Sequence, residues 1–194
     1  MRKVVAYSLL SLDGVAEAPD EFITTWDEAM DANLASVIAT QDAVLLGRRS
    51  YDEWADFWPS SDIQPFSAFV NGVEKHVVTS SPLTRGWAGS RVVEGDVVAY
   101  LRQLKDREGG DIGVHASTSL IRSLLGTGLV DELRLVVAPV VAGRGARLLD
   151  AVPATSLELL RCVASPSGHL LVDYRVLPPA LRGVTHHGSR PAPP

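Results

Sequence analysis

The 194-residue chain has a single cysteine, Cys162, and this scarcity excludes two kinds of structure. One thiol cannot form a disulfide within the chain, and it cannot build a zinc site from several cysteines. Because disulfides are rare in reducing compartments, we expect a cytoplasmic protein. The N-terminal apolar segment superficially resembles a signal peptide, but Asp13-Gly14 interrupts it, and a first β-strand accounts for it better.

Long apolar runs and runs of basic residues are also absent. No apolar stretch reaches the roughly 18 residues that a membrane-spanning helix needs. The formal net charge is −5 and lysine and arginine do not cluster, which argues against nucleic acid as a partner. Apolar residues still make up 46% of the chain, so one domain with a sizeable core is expected.

Strand and helix signals alternate along the chain. Apolar runs predict strands at residues 3–10, 43–46, 75–79, 91–93, 111–115 and 133–138. Two further strands, 157–164 and 170–176, flank the turn sequence SPSG and form a predicted hairpin. We therefore predict one α/β domain over residues 1–177, with a mixed, mostly parallel sheet, a C-terminal antiparallel hairpin and helices on both faces. Residues 178–194 are rich in Pro, Gly and His and are expected to form a loose tail.

The segment DAVLLGRRS, residues 42–50, is the most informative part of the sequence. A buried strand ends at Gly47, and a helix is predicted from Tyr51 onward. Arg48, Arg49 and Ser50 would then offer guanidinium groups, a hydroxyl and backbone N–H groups at a helix N-terminus, where anions bind. The pattern is neither a Walker loop nor GxGxxG, and a surface turn with solvated arginines is the alternative interpretation.

A first helix is predicted after a capping-box pattern at Thr25 to Glu28. Its acidic residues Asp27 and Asp31 are four apart and share one side of the helix. A carboxylate at this position can serve a binding site, or it can simply favour the helix N-terminus through the helix dipole. The residues alone leave both interpretations open.

Three blocks together resemble one superfamily. The segments SLLSLDG (8–14), DAVLLGRRS (42–50) and DIGVHASTSLIRSLL (111–125), followed by GLVDEL (128–133) and PVVAGRG (139–145), look like blocks of the dihydrofolate reductase-like fold. The chain is most similar to stand-alone relatives of the reductase domain in bacterial riboflavin-biosynthesis deaminase-reductases. The resemblance spans residues 3–176. The deaminase half of those proteins has no counterpart, since its zinc signature needs Cys-x-x-Cys.

The resemblance implies an NADPH site at the carboxyl ends of the strands. The cofactor-binding residues that it implies are Gly47, Arg48, Arg49, Ser50, Thr79, Ser80, Ser81, Ala116, Ser117 and Thr118. Ala116 departs from the family, which usually has glycine there. Its methyl group would limit the approach of an anion and disfavour a positive φ.

The resemblance also implies an acceptor site. Asp31 is spaced from Gly47 like the pterin-binding carboxylate of dihydrofolate reductases, so we assign it the catalytic and orienting role. Asp13 could border the nicotinamide or merely form an Asp-Gly turn. Substrate-binding candidates are Asp27, Trp26 and Arg144, of which Trp26 could equally be a core or rim residue and Arg144 could take a phosphate or carboxylate. No metal site is expected.

These observations predict an NADPH-dependent reductase of a pyrimidine- or pterin-like heterocycle, acting as a homodimer. The dimer is implied by the resemblance and not by any periodicity in the sequence. A protein of the same fold that binds a nucleotide or small metabolite without catalysis is the alternative.

Overall fold

The structure, a computed structural model, describes residues 1–178. The rest of the predicted tail, residues 179–194, lies outside the described residues. The strands are β1 (Val4–Leu10), β2 (Gln41–Gly47), β3 (Glu74–Val78), β4 (Ser90–Val93), β5 (Asp111–His115), β6 (Glu132–Val137), β7 (Leu157–Ala164) and β8 (Leu170–Val176). The α-helices are α1 (Glu28–Ile38), α2 (Arg48–Phe57), α3 (Phe66–Gly72), α4 (Val97–Asp106) and α5 (Thr118–Thr127).

All eight strands form one sheet in the order β4-β3-β2-β5-β1-β6-β8-β7. Strands β1 to β6 run parallel to one another, and β8 is antiparallel to both β6 and β7. The predicted mixed sheet with a C-terminal antiparallel hairpin is therefore confirmed.

Helices cover both faces of the sheet and divide the core in two. Val4 and Ala6 of β1 pack in one cluster with α4 and α5, whereas Val5 and Tyr7 pack in the other with α1, α2 and α3. Alternate residues of a strand point to opposite faces, so a strand buried on both sides is apolar almost throughout. This explains why the parallel strands appear in the sequence as continuous apolar runs.

The order of the strands changes direction at β5. The chain steps outward from β1 to β2, β3 and β4, then returns to β5 and crosses β1 to reach β6. Right-handed crossovers in opposite directions put α1–α3 on one face and α4–α5 on the other. In open α/β sheets, ligands bind at the carboxyl ends of the strands where this reversal occurs. Here that place lies above β2, β5 and β1.

Two predicted helix starts differ from the structure. The helix expected from Tyr51 begins at Arg48, directly after β2, with Gly47 as its N-cap. The first helix is capped by Asp27, whose carboxylate accepts the N–H of Met30 at 3.0 Å, and not by the Thr25–Glu28 capping box. Asp27 is the N-cap in place of Thr25 because its carboxylate accepts a hydrogen bond from an amide of the first turn that would otherwise have no partner.

Strand β7 forms one edge of the sheet, and all eight of its residues are exposed. Leu159, which is 56% exposed, is the most exposed of its apolar residues. Exposed edge strands invite pairing with another chain. The expected homodimer stays a prediction, and β7 is a surface on which to test it. Within residues 1–178, no helix has the length and apolar character needed to cross a membrane.

A glycine in the middle of the sheet makes room for a buried polar pair. Gly113 of β5 lies beside the contact between His115 Nε2 and Gln41 Oε1, which are 2.8 Å apart. A Cβ atom at residue 113 would overlap Gln41 Oε1 and lie 2.6 Å from His115 Nε2. Both polar side chains are less than one tenth exposed, so neither has solvent to move into.

We therefore expect Gly113→Ala to destabilise the fold by about 1–3 kcal/mol, the usual cost of overpacking a core. Urea denaturation measures the change. Gly72→Ala is the matched control, because a Cβ atom there meets nothing within 4 Å. A Gly113→Ala variant with the wild-type midpoint would show that the Gln41–His115 pair is not fixed in place.

Candidate active site

A cleft of about 1250 Å³ lies at the carboxyl ends of β1, β2 and β5. It brings together ten of the predicted site residues: Trp26, Asp31, Gly47, Arg48, Arg49, Ser50, Ala116, Ser117, Thr118 and Arg144. It is not lined by Asp13, Asp27, Thr79, Ser80 or Ser81. The roles of all these residues stay predictions, but the structure separates those that face one cavity from those that do not.

The turn after β2 and the turn after β5 are joined by hydrogen bonds. Gly47 N–H donates to Ser117 Oγ at 3.0 Å, Ser117 Oγ donates to Ser50 Oγ at 3.0 Å, and Ser50 Oγ donates to the Ala116 carbonyl at 3.3 Å. Ser117 is the N-cap of α5, yet its hydroxyl does not cap that helix because it is used in this chain of bonds. Helix α2, capped by Gly47, also lacks a side-chain cap.

Two helix N-termini without side-chain caps therefore open on one cleft. The first-turn amides of a helix have no partner within the helix and carry a partial positive charge. Such amides bind phosphate oxygens. The joined turns of Gly47 and Ser117 are thus suited to binding an anion with amides of both α2 and α5.

The two arginines after Gly47 differ in their surroundings. Arg48 donates to Asp52 Oδ2 at 2.7 Å, to Ser81 Oγ and Pro82 O at 2.9 Å, and to Thr84 Oγ1 at 3.2 Å. Its donors are occupied, so it fastens the loop after β3 to α2. Within residues 1–178, Arg49 pairs only with Glu53, at 3.1 Å, and its side chain is 81% exposed. Arg49 is therefore the arginine of this pair that a ligand can engage at little cost.

Residues 79–81, expected beside the cofactor's adenosine, lie in the loop that Arg48 holds. Thr79 Oγ1 contacts Ser81 O at 3.2 Å, and the Ser81 hydroxyl is a partner of Arg48. None of the three lines the cleft. The geometry gives Ser81 a part in fixing the loop, and the contact with adenosine stays a prediction.

Ala116 adopts a φ of +54°, in the left-handed region. Alanine disfavours a positive φ, yet the turn between β5 and α5 imposes this conformation on the residue that is there. For a residue with a Cβ this costs about 1–2 kcal/mol relative to the right-handed region. The methyl group lines the cleft beside Ser117.

Asp31 lines the cleft from α1 and accepts a hydrogen bond from Trp26 Nε1 at 2.7 Å. Both side chains are exposed, so this is not the buried carboxyl that usually supplies a proton. An exposed carboxylate with lone pairs to spare is suited to accepting hydrogen bonds from a ligand's amino groups.

Asp13, the second catalytic candidate, is built into the Asp-Gly turn. Its carboxylate accepts Ser11 Oγ at 2.7 Å, Ala142 N–H at 2.9 Å and Gly143 N–H at 3.0 Å. These hydrogen bonds lower the pKa of Asp13 to about 2. A carboxyl that is ionised at neutral pH and lies outside the cleft lining is not placed to donate a proton, so the structure favours the turn interpretation.

Asp27 is likewise used within the fold. Besides capping α1, its carboxylate accepts Ser167 Oγ at 2.6 Å and Ser167 N–H at 3.0 Å, which ties the β7–β8 turn to the helix. These bonds, with that from Ser167 Oγ the strongest, hold the pKa of Asp27 well below its ordinary range. The structure does not bring Asp27 to the cleft, so its assignment to substrate binding is not supported by its position.

Arg122, His115 and Tyr7 also line the cleft, and each has a buried polar atom without a partner in the described structure. Neither Arg122 nor Tyr7 was predicted from the sequence. Arg122, on the second turn of α5, has no hydrogen bond or ion pair within residues 1–178, and its Nε is buried without a partner. His115 is 2% exposed. Its Nε2 donates to Gln41 Oε1, whereas its Nδ1 has no partner in the described structure. Burial lowers the pKa of His115 to about 3, so its ring is neutral. Burial raises the pKa of Tyr7, the third residue.

Known proteins share this fold. The model of the RibD C-terminal domain matches residues 2–171. The chain belongs to this family. The RibD-family chain is 24% identical to the uncharacterized protein YyaP of Bacillus subtilis over 180 residues, 89% of this chain and 94% of YyaP.

Solved structures agree with the family match. A protein of Shewanella sp. PV-4 named for riboflavin biosynthesis has a TM-score of 0.74 at 15% identity, covering 91% of this chain and 99% of its own. A pyrimidine reductase-like protein of Corynebacterium diphtheriae has a TM-score of 0.67 at 17% identity, covering 92% and 93%. At these identities the likeness shows the fold, and the expected reductase-like fold is confirmed.

The strain at Ala116 gives a first prediction for the site. Ala116→Gly should raise the free energy of unfolding by up to about 1 kcal/mol, since relief of the left-handed strain outweighs glycine's greater entropy when unfolded. Ala151→Gly is the matched control, because Ala151 has a φ of +58° and lies outside the cleft. Both variants should be stabilised in urea, and only Ala116→Gly should tighten NADPH binding. Equal NADPH affinity in both would separate Ala116 from the anion site.

The hydrogen bonds of Asp13 give a second prediction. Its folded pKa of about 2 is below the ordinary 3.8, so its stabilising contribution is present above about pH 4 and is lost as the pH falls toward 2. Asp13→Asn should lower the thermal midpoint at pH 7 and flatten the decline between pH 4 and 2. Asp62→Asn, at an exposed carboxylate without hydrogen bonds in the described structure, is the control. An unchanged acid profile for Asp13→Asn would mean that the loop at 142–143 does not depend on it.

Proposed function

We propose that this RibD-family protein is a reductase that uses NADPH to reduce a pyrimidine- or pterin-like heterocycle. The observation that carries the proposal is the meeting of the α2 and α5 N-termini, joined by Ser117, in one cleft. A dinucleotide's diphosphate is the ligand class that two such N-termini fit, since each offers free N–H groups to anionic oxygens. The family membership supports the same reading.

Arg49 and Arg122 would favour the phosphorylated cofactor. Arg122 lacks a carboxylate partner in the described chain, and Arg49 has only an exposed one. A further phosphate on the cofactor therefore meets guanidinium groups that can pair with it. The Nε of Arg122 is buried without a hydrogen bond, and a bound anion would supply the missing acceptor.

In the reaction, NADPH when bound would supply a hydride from C4 of its nicotinamide, and the acceptor's C=N or C=O carbon would take it. The neighbouring nitrogen or oxygen takes a proton, giving NADP⁺ and a two-electron-reduced product. Asp31 would orient the heterocycle by accepting its amino hydrogens. Every carboxyl group lining the cleft is exposed, so we assign the proton to water at the open mouth of the cleft.

The same absence of a buried acid from the cleft lining favours the second candidate function. A protein that binds a nucleotide or small metabolite without turnover needs the anion site and no proton donor. Turnover of any pyrimidine or pterin with NADPH oxidation would decide against it. Loss of orientation by Asp31→Asn should then lower kcat/KM by about tenfold or more, with NADPH affinity unchanged.

The decisive test is a titration with NADPH and NADH, monitored by energy transfer from tryptophan. Trp26, Trp54 and Trp58 line the cleft, so a bound nicotinamide quenches them directly. We expect NADPH to bind at least about tenfold more tightly than NADH, because the extra phosphate adds charge-assisted hydrogen bonds.

Matched variants test which arginines cause the preference for NADPH over NADH. Arg49→Ala and Arg122→Ala should each reduce it, whereas Arg102→Ala, at an exposed residue of α4 outside the cleft lining, should leave it intact. Failure to bind either nucleotide would overturn the cofactor assignment.

A further inference from the structure

The cleft is divided by charge. The end formed by the first turns of α2 and α5 presents amide N–H groups with Arg49 and Arg122. The other end is formed by the loop after β1 and by α1, and its acidic residues in the cleft lining are Glu17, Asp20, Glu21 and Asp31. None of these four makes an ion pair within residues 1–178, whose ion pairs lie elsewhere.

The carboxylates at the acidic end keep most of their hydrogen-bonding capacity. Glu17 accepts the N–H of Ala146 at 2.9 Å, and Asp31 accepts the indole N–H of Trp26. The one cation that lines this end is Arg144, which makes no hydrogen bond or ion pair within residues 1–178. Four carboxylates facing one guanidinium give this end a net negative charge.

Aromatic rings and a buried acceptor form one wall of the cleft. Trp54 and Trp58 pack edge-on at 5.8 Å, and Phe66 lies 5.4 Å from Trp54 and 5.4 Å from the ring of His115. The ring of His115 is 2% exposed, and its Nδ1 has no hydrogen-bond partner in the described structure. This Nδ1 can accept a hydrogen bond, because the proton of the neutral ring is on Nε2, which donates to Gln41 Oε1. The wall thus suits a flat ring, and it offers both an acceptor, His115 Nδ1, and a donor, the indole N–H of Trp58, which has no partner within residues 1–178.

These features bear on the acceptor that the proposed reductase takes. An amino-substituted heterocycle presents N–H donors to carboxylates and to a neutral imidazole, so each meets its complement. A phosphate group on the same ligand would lie among like charges in one cavity, with the cationic end already taken by the cofactor. Like-charge juxtaposition works against a ligand.

We propose that the acceptor is a planar, amino-bearing heterocycle without a phosphate group, held at the acidic end by Asp31 and the neighbouring carboxylates. This inference rests on the proposed function, since it assigns the opposite end of the cleft to NADPH. Between the two substrate types that the sequence left open, it selects the pterin or the unphosphorylated ribosylaminopyrimidine over the phosphoribosyl compound.

The test compares ligands that differ by one phosphate. The full-length protein is titrated, with saturating NADP⁺ and again without nucleotide, with 5-amino-6-(5-phosphoribosylamino)uracil, with its dephosphorylated form and with dihydropterin. Tryptophan fluorescence or calorimetry gives the dissociation constants. We expect the phosphorylated compound to bind at least about tenfold more weakly than its dephosphorylated form, a difference that narrows as salt screens the carboxylates.

A charge-neutralising variant checks the cause. Glu17→Gln, Asp20→Asn and Glu21→Gln together should narrow the difference several-fold. Circular dichroism and NADPH affinity show that the variant is folded. Arg144→Ala, which removes the one guanidinium at this end, should weaken the phosphorylated compound most and so widen the difference.

Three results would overturn the inference. They are equal or tighter binding of the phosphorylated compound, a preference unchanged in the triple variant, and no binding of any of the three ligands to a protein that binds NADPH. Failure of NADPH binding would instead overturn the proposed function. Without nucleotide the cationic end is open to the ligand's phosphate, so the preference at the acidic end is measured by the titrations with NADP⁺.

Discussion

The Ser117 hydroxyl is the contact on which the arrangement of the cleft depends. It accepts the amide of Gly47 and donates to Ser50, so the first turn of α2 is held against the first turn of α5. The strands beneath them, β2 and β5, are neighbours in the sheet. Backbone pairing brings the two turns close, and one hydroxyl sets their spacing. Because that hydroxyl bonds to Gly47 and Ser50 and does not cap α5, the N-termini of both helices remain open to a ligand.

The strands could be predicted closely because each has a continuous or alternating apolar pattern in the sequence. Asp111–His115, Leu157–Ala164 and Leu170–Val176 match their predicted bounds, since each is an apolar or alternating run ended by glycine or a turn. Helix starts were harder to predict. Gly47 caps α2 without any side chain to signal it, so the helix starts three residues earlier than its pattern indicated.

The roles of charged residues depended on partners distant in the chain. Arg48 and Arg49 look equivalent in sequence, yet Arg48 is occupied by residues 33 to 36 positions further on. Arg122 looks like an ordinary surface arginine of an amphipathic helix, and only the structure shows that it faces the cleft. Asp13 and Asp27 carry the residue type of a catalytic acid, but backbone amides and Ser167 occupy their oxygens. Such pairings depend on topology, which a local pattern does not contain.

The direct passage from β2 into α2 also constrains how the length of the chain can change over evolution. One residue inserted between Gly47 and Arg48 would turn the helix by about 100° and carry Ser50 away from Ser117. Of the two loops at the acidic end of the cleft, residues 14–16 pair with residues 146–148 around a β-bridge between Val15 and Arg147, whereas residues 18–21 make no such pairing within the described chain. Gains and losses of residues are therefore tolerated better at residues 18–21 than at the joined turns. That stretch can change its length while the turns after β2 and β5 keep theirs.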